Sequence, residues 1–440
     1  MTDLELGFLS FPVLLALIFL RIPIGLAMLV VGVVGNYLVR GTWTPILAQF
    51  KDLTYANFAN YSLSVVPLFL LMGQFATYSG MSAALFRGAE KWLGHLRGGV
   101  AISAIGACAG FGAICGSSIA TAATMGQVAL PELKRQGYSG GLSTATIAAG
   151  GTLGILIPPS VVLVIYAILA EQNIAKLFVA AIIPGLLAAV GYVAVIAIYA
   201  RLRPGEVGSR EKASRTERLA ALLEIWPVAL IFLVVVGGIY LGVFTPTEAA
   251  AIGAVATGAL AFAKGGLDWE KLKQAVLATA STTGMIFFIV LGATVYNIFL
   301  ATTMVPQEIA AGIGASELGP WVILAAILVI YLLLGCFMDS LSMVFLTVPI
   351  FFPVAATLDY GLTPEQFGLW FGVLILIVVE VGLITPPVGM NLFIINALAK
   401  DVPISATYRS VWPFVVTDLV RTALLAAFPM ITLFAVELLF

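Results

Sequence analysis

The sequence predicts an all-α polytopic membrane protein, folded as an inverted repeat of about ten spans plus two re-entrant hairpins. Three observations lead there. The 440-residue chain is 61% hydrophobic and only 10% charged, where a soluble domain carries about 25% charged residues. Apolar runs long enough to cross a bilayer, about 20 residues each, recur along its length. Two stretches break that pattern in matching places: "GFGAICGSSIATAATMG" (Gly110–Gly126) and "LGCFMDSLSMVF" (Leu334–Phe345). They put glycine, serine, threonine and an aspartate where a span has leucine.

The spans read in order as approximately 4–20, 22–39, 56–79, 142–170, 176–200, 224–243, 247–263, 276–301, 366–398 and 412–436. The chain opens with acidic "MTDLE", without the basic start and small-residue cleavage site of a secretory signal. The first run is therefore expected as a retained span. The odd stretches, about 98–133 and 318–356, follow the third and eighth spans. Cys108, Cys115 and Cys336 stand in apolar or small-residue surroundings, with no CxxC or Cys/His cluster. That pattern argues against a disulfide framework or zinc site and fits buried thiols. A net charge of −1 argues against a nucleic-acid partner.

Basic residues mark the cytoplasmic side. The longest polar loop, Arg201–Arg218, holds six of them. Arg87, Lys91 and Arg97 precede the first odd stretch, and Lys134 and Arg135 follow it. Both its ends lie on the cytoplasmic side, so it enters and returns. From Gln274 to Ala399 there is no Lys or Arg, only acids such as Glu308, Glu317, Asp359 and Glu365. The second hairpin is thus expected to enter from outside. Each half then reads as three spans, a hairpin and two spans, in opposite orientation.

Weak internal matches support the repeat. "RIPIGLAMLVVGV" aligns with "FTPTEAAAIGAVA", pairing Pro23 with Pro246, and "FGAICGSS" aligns with "LGCFMDSL", pairing Gly112 with Gly335; both offsets are 223. "GILIPPS" aligns with "GLITPPV", pairing Pro158 with Pro386 at 228. An inverted repeat is a transporter architecture, with its site at the repeat interface.

Backbone that is not helical survives in a membrane only when buried or lining a cavity. Each half has two such points. One is the hairpin tip, Gly116-Ser117-Ser118 or Asp339-Ser340. The other is a Pro-Pro pair, Pro158-Pro159 or Pro386-Pro387, which removes two amide donors and frees the preceding carbonyls. Freed carbonyls beside hydroxyl and amide oxygens suit a small hard cation such as Na⁺. The N-terminal ends of broken half-helices favour anions. Each tip beside its Pro-Pro break is therefore a candidate cation site, with a pocket for an anion between the tips. The oxygens at hand are Ser117, Ser118, Thr121 and Thr124 in the first half. In the second they are Asp339, Ser340, Ser342, Thr385 and Asn391. Close packing of small residues accounts for much of the glycine, but not for an aspartate and two double prolines.

Glu380 is a second intramembrane acid and admits two readings, a proton or cation site or an interior hydrogen-bonding group. Glu248 reads as a helix start, with Thr245 as N-cap and Pro246 at the first helical position. "FRGAEKWLGHLRGG", with the lone His95, reads as an interfacial amphipathic arm, and "LDWEKLKQAV" (Leu267–Val276) as its counterpart in the second half.

The motifs "GAICGSSIATAATMG", "GGTLGILIPPS", "VFTPTEAAAIGA" and "GLITPPVGMNLFIIN", in that order, resemble the large membrane subunit of tripartite ATP-independent periplasmic (TRAP) transporters, the DctM type. The resemblance runs through the whole chain. It implies a non-enzymatic, elevator-type, Na⁺-coupled importer of small organic acids in the bacterial inner membrane, in contact with membrane lipid. It also implies two partners, a small four-helix membrane subunit (DctQ type), here a separate polypeptide, and a periplasmic substrate-binding protein (DctP type). Two or more coupling Na⁺ ions are expected. Carried over, the cation sites fall on Ser117 with Gly150, Gly154 and Pro158, and on Asp339 and Ser340 with Thr385 and Gly389. Substrate contacts are expected from Ser117, Ser118, Ser342 and Asn391. Cys115 departs from the small Ser or Gly expected before the "GSS" tip. The implied division is scaffold at 1–97, 171–317 and 399–440, and transport domain at 98–170 and 318–398.

Three other classes compete. A stand-alone sodium/dicarboxylate symporter of the divalent-anion type shares hairpins and repeats, but its "SNT" tips are absent here. An intramembrane hydrolase on Ser117 lacks a base within reach, and one on Asp339 has only Glu380 as a second acid, with no second matching motif. A passive channel needs a ring of repeated ligands, whereas two tips in one chain suit alternating access.

Overall fold

The computed structural model describes residues 1–208, 212–315 and 318–440. Residues 209–211 of the basic loop, and Glu317 among the acids used for orientation, lie outside the described residues. The described residues are helical throughout, without strands. The first half runs Asp3–Phe19, Ile24–Arg40, a mostly exposed helix Thr44–Phe58, Tyr61–Tyr78 and the arm Met81–Leu93. The hairpin Gly99–Cys115/Ser118–Arg135 follows, then the broken span Gly140–Leu156/Val161–Leu169, and Ile174–Leu202.

The second half repeats that order. It runs Arg215–Tyr240, Pro246–Ala263, Trp269–Thr302, the arm Val305–Ala315, the hairpin Pro320–Gly335/Ser340–Ala356, the broken span Pro364–Ile384/Met390–Leu398, and Ile404–Ala427. The helix starts are written in local chemistry. Thr245 and Glu248 form the expected capping box, Glu248 N–H donating to Thr245 Oγ1 and Thr245 N–H to Glu248 Oε2 at 2.8 Å. Thr2/Glu5, Ser214/Glu217 and Thr363/Gln366 do the same. Each pair satisfies two amide donors that a helix start leaves open.

The halves interlock. Ile24–Arg40 makes its most extensive contact with Trp269–Thr302, and Pro246–Ala263 makes its own with Tyr61–Tyr78. The second span of each half thus lies on the third span of the other. Glycine permits this closeness. A Cβ on Gly32 would sit 2.8 Å from the Tyr296 backbone nitrogen, and one on Gly292 2.3 Å from the Gly25 carbonyl oxygen. Without a hydrophobic drive between helices in lipid, such intimate contact is what holds them together. The arms cross over as well. Met81–Leu93 is pinned to Arg215–Tyr240 by Arg87–Glu224 and by Lys91–Glu217 at 2.7 Å. Val305 of the other arm lies against Gly7 in the first span.

Two sequence expectations change here. The span read as 412–436 is two helices, Ile404–Ala427 and Pro429–Leu439, because Pro429 starts a new helix after the break at Phe428. Leu267–Val276 is no separate arm: Asp268 caps the continuous 34-residue helix Trp269–Thr302, and Trp269–Val276 is its first part. By position its counterpart is Thr44–Phe58, while the Met81–Leu93 arm corresponds to Val305–Ala315. Ile174–Leu202 and the final segment 399–440 pack on the broken spans, and Ile174–Leu202 also on the first hairpin. Buried polar contacts hold them there: Thr144 Oγ1 to Thr407 Oγ1 at 2.8 Å, and Trp370 Nε1–H to the Leu425 carbonyl at 2.8 Å.

The second broken span is the axis of this body. Every residue of Pro364–Ile384 from Phe367 onward is buried. The first broken span leans on it, with the Tyr166 ring over Gly372 and the Tyr166 hydroxyl donating to the Gly368 carbonyl at 2.7 Å.

Candidate functional site

Both hairpins restart their inner arms in the same way, from an extended residue that caps the helix. In the first, Gly116 closes the outer arm at φ +64°, a left-handed conformation that glycine adopts without a Cβ clash. Ser117 is then extended and caps the inner arm, its Oγ accepting from Ala120 N–H at 3.4 Å. In the second, Asp339 is extended and caps the inner arm through Oδ2, which accepts from Ser342 N–H at 3.1 Å. Ser117 therefore corresponds to Asp339, and Ser118 to Ser340, each serine opening its helix; this shifts the sequence match, which set Ser117 against Ser340, by one residue at the tip. The first amides of both helices lack intrahelical partners and carry the positive end of the helix dipole.

The breaks sit beside the tips. The first broken span bends by 46°. Ile157 is extended there, the Pro158-Pro159 bond is cis, and Ser160 restarts the helix by accepting from Leu163 N–H. A glycine pair brings the hairpin onto it: a Cβ on Gly112 would lie 2.4 Å from Gly154 Cα. A Cβ on Gly154 would lie 2.9 Å from the Ser117 carbonyl oxygen. In the second half Gly335 and Gly382 make the equivalent contact, with a Cβ on Gly335 3.1 Å from Gly382 Cα. Pro386-Pro387 is also cis, and Gly389, at φ +64°, donates its N–H to the Cys336 carbonyl at 3.3 Å.

The two tips face one small cavity of about 110 Å³. Gly116, Ser117, Ser118 and Ile119 line it from one side, and Asp339, Ser340 and Leu341 from the other. Leu70 and Thr282, on the third span of each half, close it. Behind the tips lies Glu380, on the buried axis. Ser118 Oγ donates to its Oε2, and Ser340 Oγ donates to its Oε1 at 2.8 Å. One carboxyl group thus receives a hydroxyl from each hairpin, which favours the hydrogen-bonding reading of this acid.

The other candidates distribute as follows. Gly154 comes against Ser117, whereas Gly150 faces Cys108. Thr385 is half-buried at the second break, its hydroxyl donating to the Val381 carbonyl at 2.6 Å. Ser342 is buried in the hairpin behind its capping bond and does not line the cavity. Asn391 is fully buried away from the tips, donating to the Ala148 carbonyl at 3.3 Å and so joining the second broken span to the first. Cys115 lies with its backbone against Gly73 of the third span.

Sequence reasoning passed over one buried polar chain. Asp418 and Arg421, one helical turn apart in the last long helix, pair at 2.9 Å and are both buried. Tyr192 O–H donates to Asp418 Oδ2 at 2.6 Å, and its oxygen lies 2.9 Å from Thr152 Oγ1. Arg421 also donates to the Pro184 carbonyl. The signal was present: two opposite charges at i and i+3 inside an apolar helix. Intramembrane charges are rarely idle, and these fasten Ile404–Ala427 to Ile174–Leu202 and the first broken span.

The family model for the tripartite ATP-independent periplasmic transporter, DctM component, matches residues 11–431. The C4-dicarboxylate TRAP transporter large permease protein DctM of Pseudomonas aeruginosa is 36% identical over 85% of this chain and 86% of its own length. The sialic acid TRAP transporter large permease protein SiaM of Vibrio cholerae is 31% identical over 96% of this chain and 97% of its own. Among solved structures, the YdaH transporter of Alcanivorax borkumensis is similar with a TM-score of 0.63, covering 86% of this chain and 88% of its own. At 14% identity that last likeness concerns the fold alone.

Proposed function

Because the chain belongs to the DctM family of tripartite ATP-independent periplasmic transporter components, we propose that it is the large membrane subunit of a Na⁺-coupled importer of a small organic acid. The observation that carries this reading is the meeting of two hairpin tips at one cavity. Two helix N-termini and five residues with hydroxyl or carboxyl side chains converge there, Ser117, Ser118, Thr282, Asp339 and Ser340. The amides and the Ser117 hydroxyl, whose oxygen accepts from Ala120 N–H and whose proton is free, suit a carboxylate, and Ser118 contributes its helix-opening amide. The C4-dicarboxylate and sialic acid named for two relatives point to the same class.

One Na⁺ sits beside the first tip, held by oxygens of Ser117 and of the stretch Gly150, Gly154 and Pro158. A second sits beside Asp339 and Ser340, with carbonyls from Thr385 to Gly389. Ser342 and Asn391 act behind the site by holding the hairpin and the broken spans. The body of hairpins, broken spans, Ile174–Leu202 and Ile404–Ala427 slides as an elevator against the interlocked spans. A small DctQ-type subunit in the inner membrane and a DctP-type periplasmic binding protein complete the system.

The test is uptake in proteoliposomes holding both membrane subunits, with the binding protein outside. Uptake should require Na⁺ and the binding protein together. Uptake driven by a proton gradient with Na⁺ absent would sink the coupling assignment, and uptake without the binding protein would sink the delivery assignment.

A further inference from the structure

We propose that Glu380 is a positioning residue that ties the two hairpin tips to each other and so sets the width of the cavity between them. This rests on reading that cavity as the ligand site. The hairpins belong to different halves, and Ser118 and Ser340 are 222 residues apart. Both hydroxyls nevertheless end on the two oxygens of one side chain. That side chain stands on a helix buried at every residue from Phe367 onward, so it cannot follow one tip without moving the other. Each serine opens its helix, so the carboxyl also faces two helix N-termini, where an acid is favoured.

The tie is one-sided. The position in the first half that corresponds to Glu380, at the 228-residue offset of the Pro-Pro pairs, is Thr152. Thr152 turns away from the tips to Tyr192. The registration of both tips therefore depends on one residue from the second half. When either bond opens, both tips are released together.

The experiment reads the tips without needing transport. A cysteine is placed at Ile119 or at Leu341, the half-buried residues that line the cavity from each hairpin. Its reaction with a small thiol reagent is followed in purified protein, in NaCl and in choline chloride, after subtracting the rate of the buried native cysteines. Glu380→Ala should speed labelling at both positions by about tenfold, the factor equal to about 1.4 kcal/mol and near the low end for hydrogen bonds to charged groups. Glu380→Gln should keep slow labelling, because an amide still offers one acceptor and one donor. Ser118→Ala and Ser340→Ala should each speed both positions, and the double variant no more than either single one. Faster labelling at one tip only, or multiplying effects of the two serine variants, overturns the tie. A parent whose labelling is insensitive to Na⁺ would count against the proposed coupling ion and leave the choline comparison intact as the test of the tie.

Discussion

The two hairpins share a backbone plan and differ in both setting and chemistry. The outer arm of the first, Gly99–Cys115, is buried on nearly every side, because Met81–Leu93 lies along it. The outer arm of the second, Pro320–Gly335, buries little more than Ile323, Leu324, Ile327 and Tyr331, leaving Trp321, Val322, Val329 and Leu333 exposed. Its neighbouring arm, Val305–Ala315, touches the inner arm instead. The tips differ in the same direction. The first is capped by a serine and the second by an aspartate, with Glu380 behind it in the second half's own span. A duplicated fold has been divided in labour: the embedded half supplies shape, and the half with the open flank supplies charge.

The largest test concerns the plan they share. Arg135 and Asp359 are exposed residues at the far end of each hairpin. Cysteines placed there should react with an impermeant reagent from opposite sides of the membrane, an all-or-none result. Reaction of both from one side would break the repeat on which the comparison stands.

Next comes the difference in charge. Asp339→Asn keeps the cap, since Asn is as good an N-cap as Asp, and removes the charge. Loss of a charge-assisted contact of about 1.5–3 kcal/mol should shift the Na⁺ dependence of uptake by roughly 10- to 150-fold, at ~1.4 kcal/mol per decade. Ser117→Ala should shift it far less, its main cost being about 0.5–2 kcal/mol of helix capping. Equal shifts would show that the halves bind cations alike.

The glycine contacts give a smaller contrast. Gly112→Ala forces a methyl to within 2.4 Å of Gly154 Cα, and Gly335→Ala to 3.1 Å of Gly382 Cα. Overpacking costs about 1–3 kcal/mol, so thermal unfolding in detergent should show a clear loss for the first and a slighter one for the second. The reverse order would make the second hairpin the tighter one.

The smallest effect is electrostatic. Lys134, at the end of the first hairpin, pairs with Asp401 at 2.6 Å, and Lys176 pairs with Glu365 at 2.6 Å. The hydrogen bond from Lys134 holds the Asp401 carboxyl below its ordinary range. A depressed carboxyl stabilises the folded state above its unfolded value and loses that contribution as the pH falls toward the folded one. Lys134→Met should therefore lower the melting temperature slightly near neutral pH, with the gap closing as pH drops below about 4. Exposed pairs contribute little, and a gap that widened in acid would contradict the assignment.

The breaks were legible in the sequence because proline and glycine act on their own backbone. Pro158-Pro159 and Pro386-Pro387 interrupt helices wherever they stand. Thr245 and Glu248 were equally legible, their bonding being local. Glu380 was visible as an acid but not as a tie, since its partners lie 262 and 40 residues away. The placing of Ile174–Leu202 and Ile404–Ala427 was hidden for a similar reason. Their apolar surfaces read like those of any span, and what sorts them is Tyr192 meeting Asp418 across 226 residues. Ser342 and Asn391 each place an oxygen near a tip or break in the sequence, and only the folded chain shows which way it is turned.

The exchange of spans between halves has a consequence for biosynthesis. Gly25 leaves the ribosome long before Gly292, the residue whose backbone it will touch. At about 5–20 residues per second of synthesis, Ile24–Arg40 waits tens of seconds in the membrane for the helix that completes it. During that interval the N-terminal half is an unfinished surface of glycine and small side chains, open to insertases, to lipid or to the same half of another nascent chain.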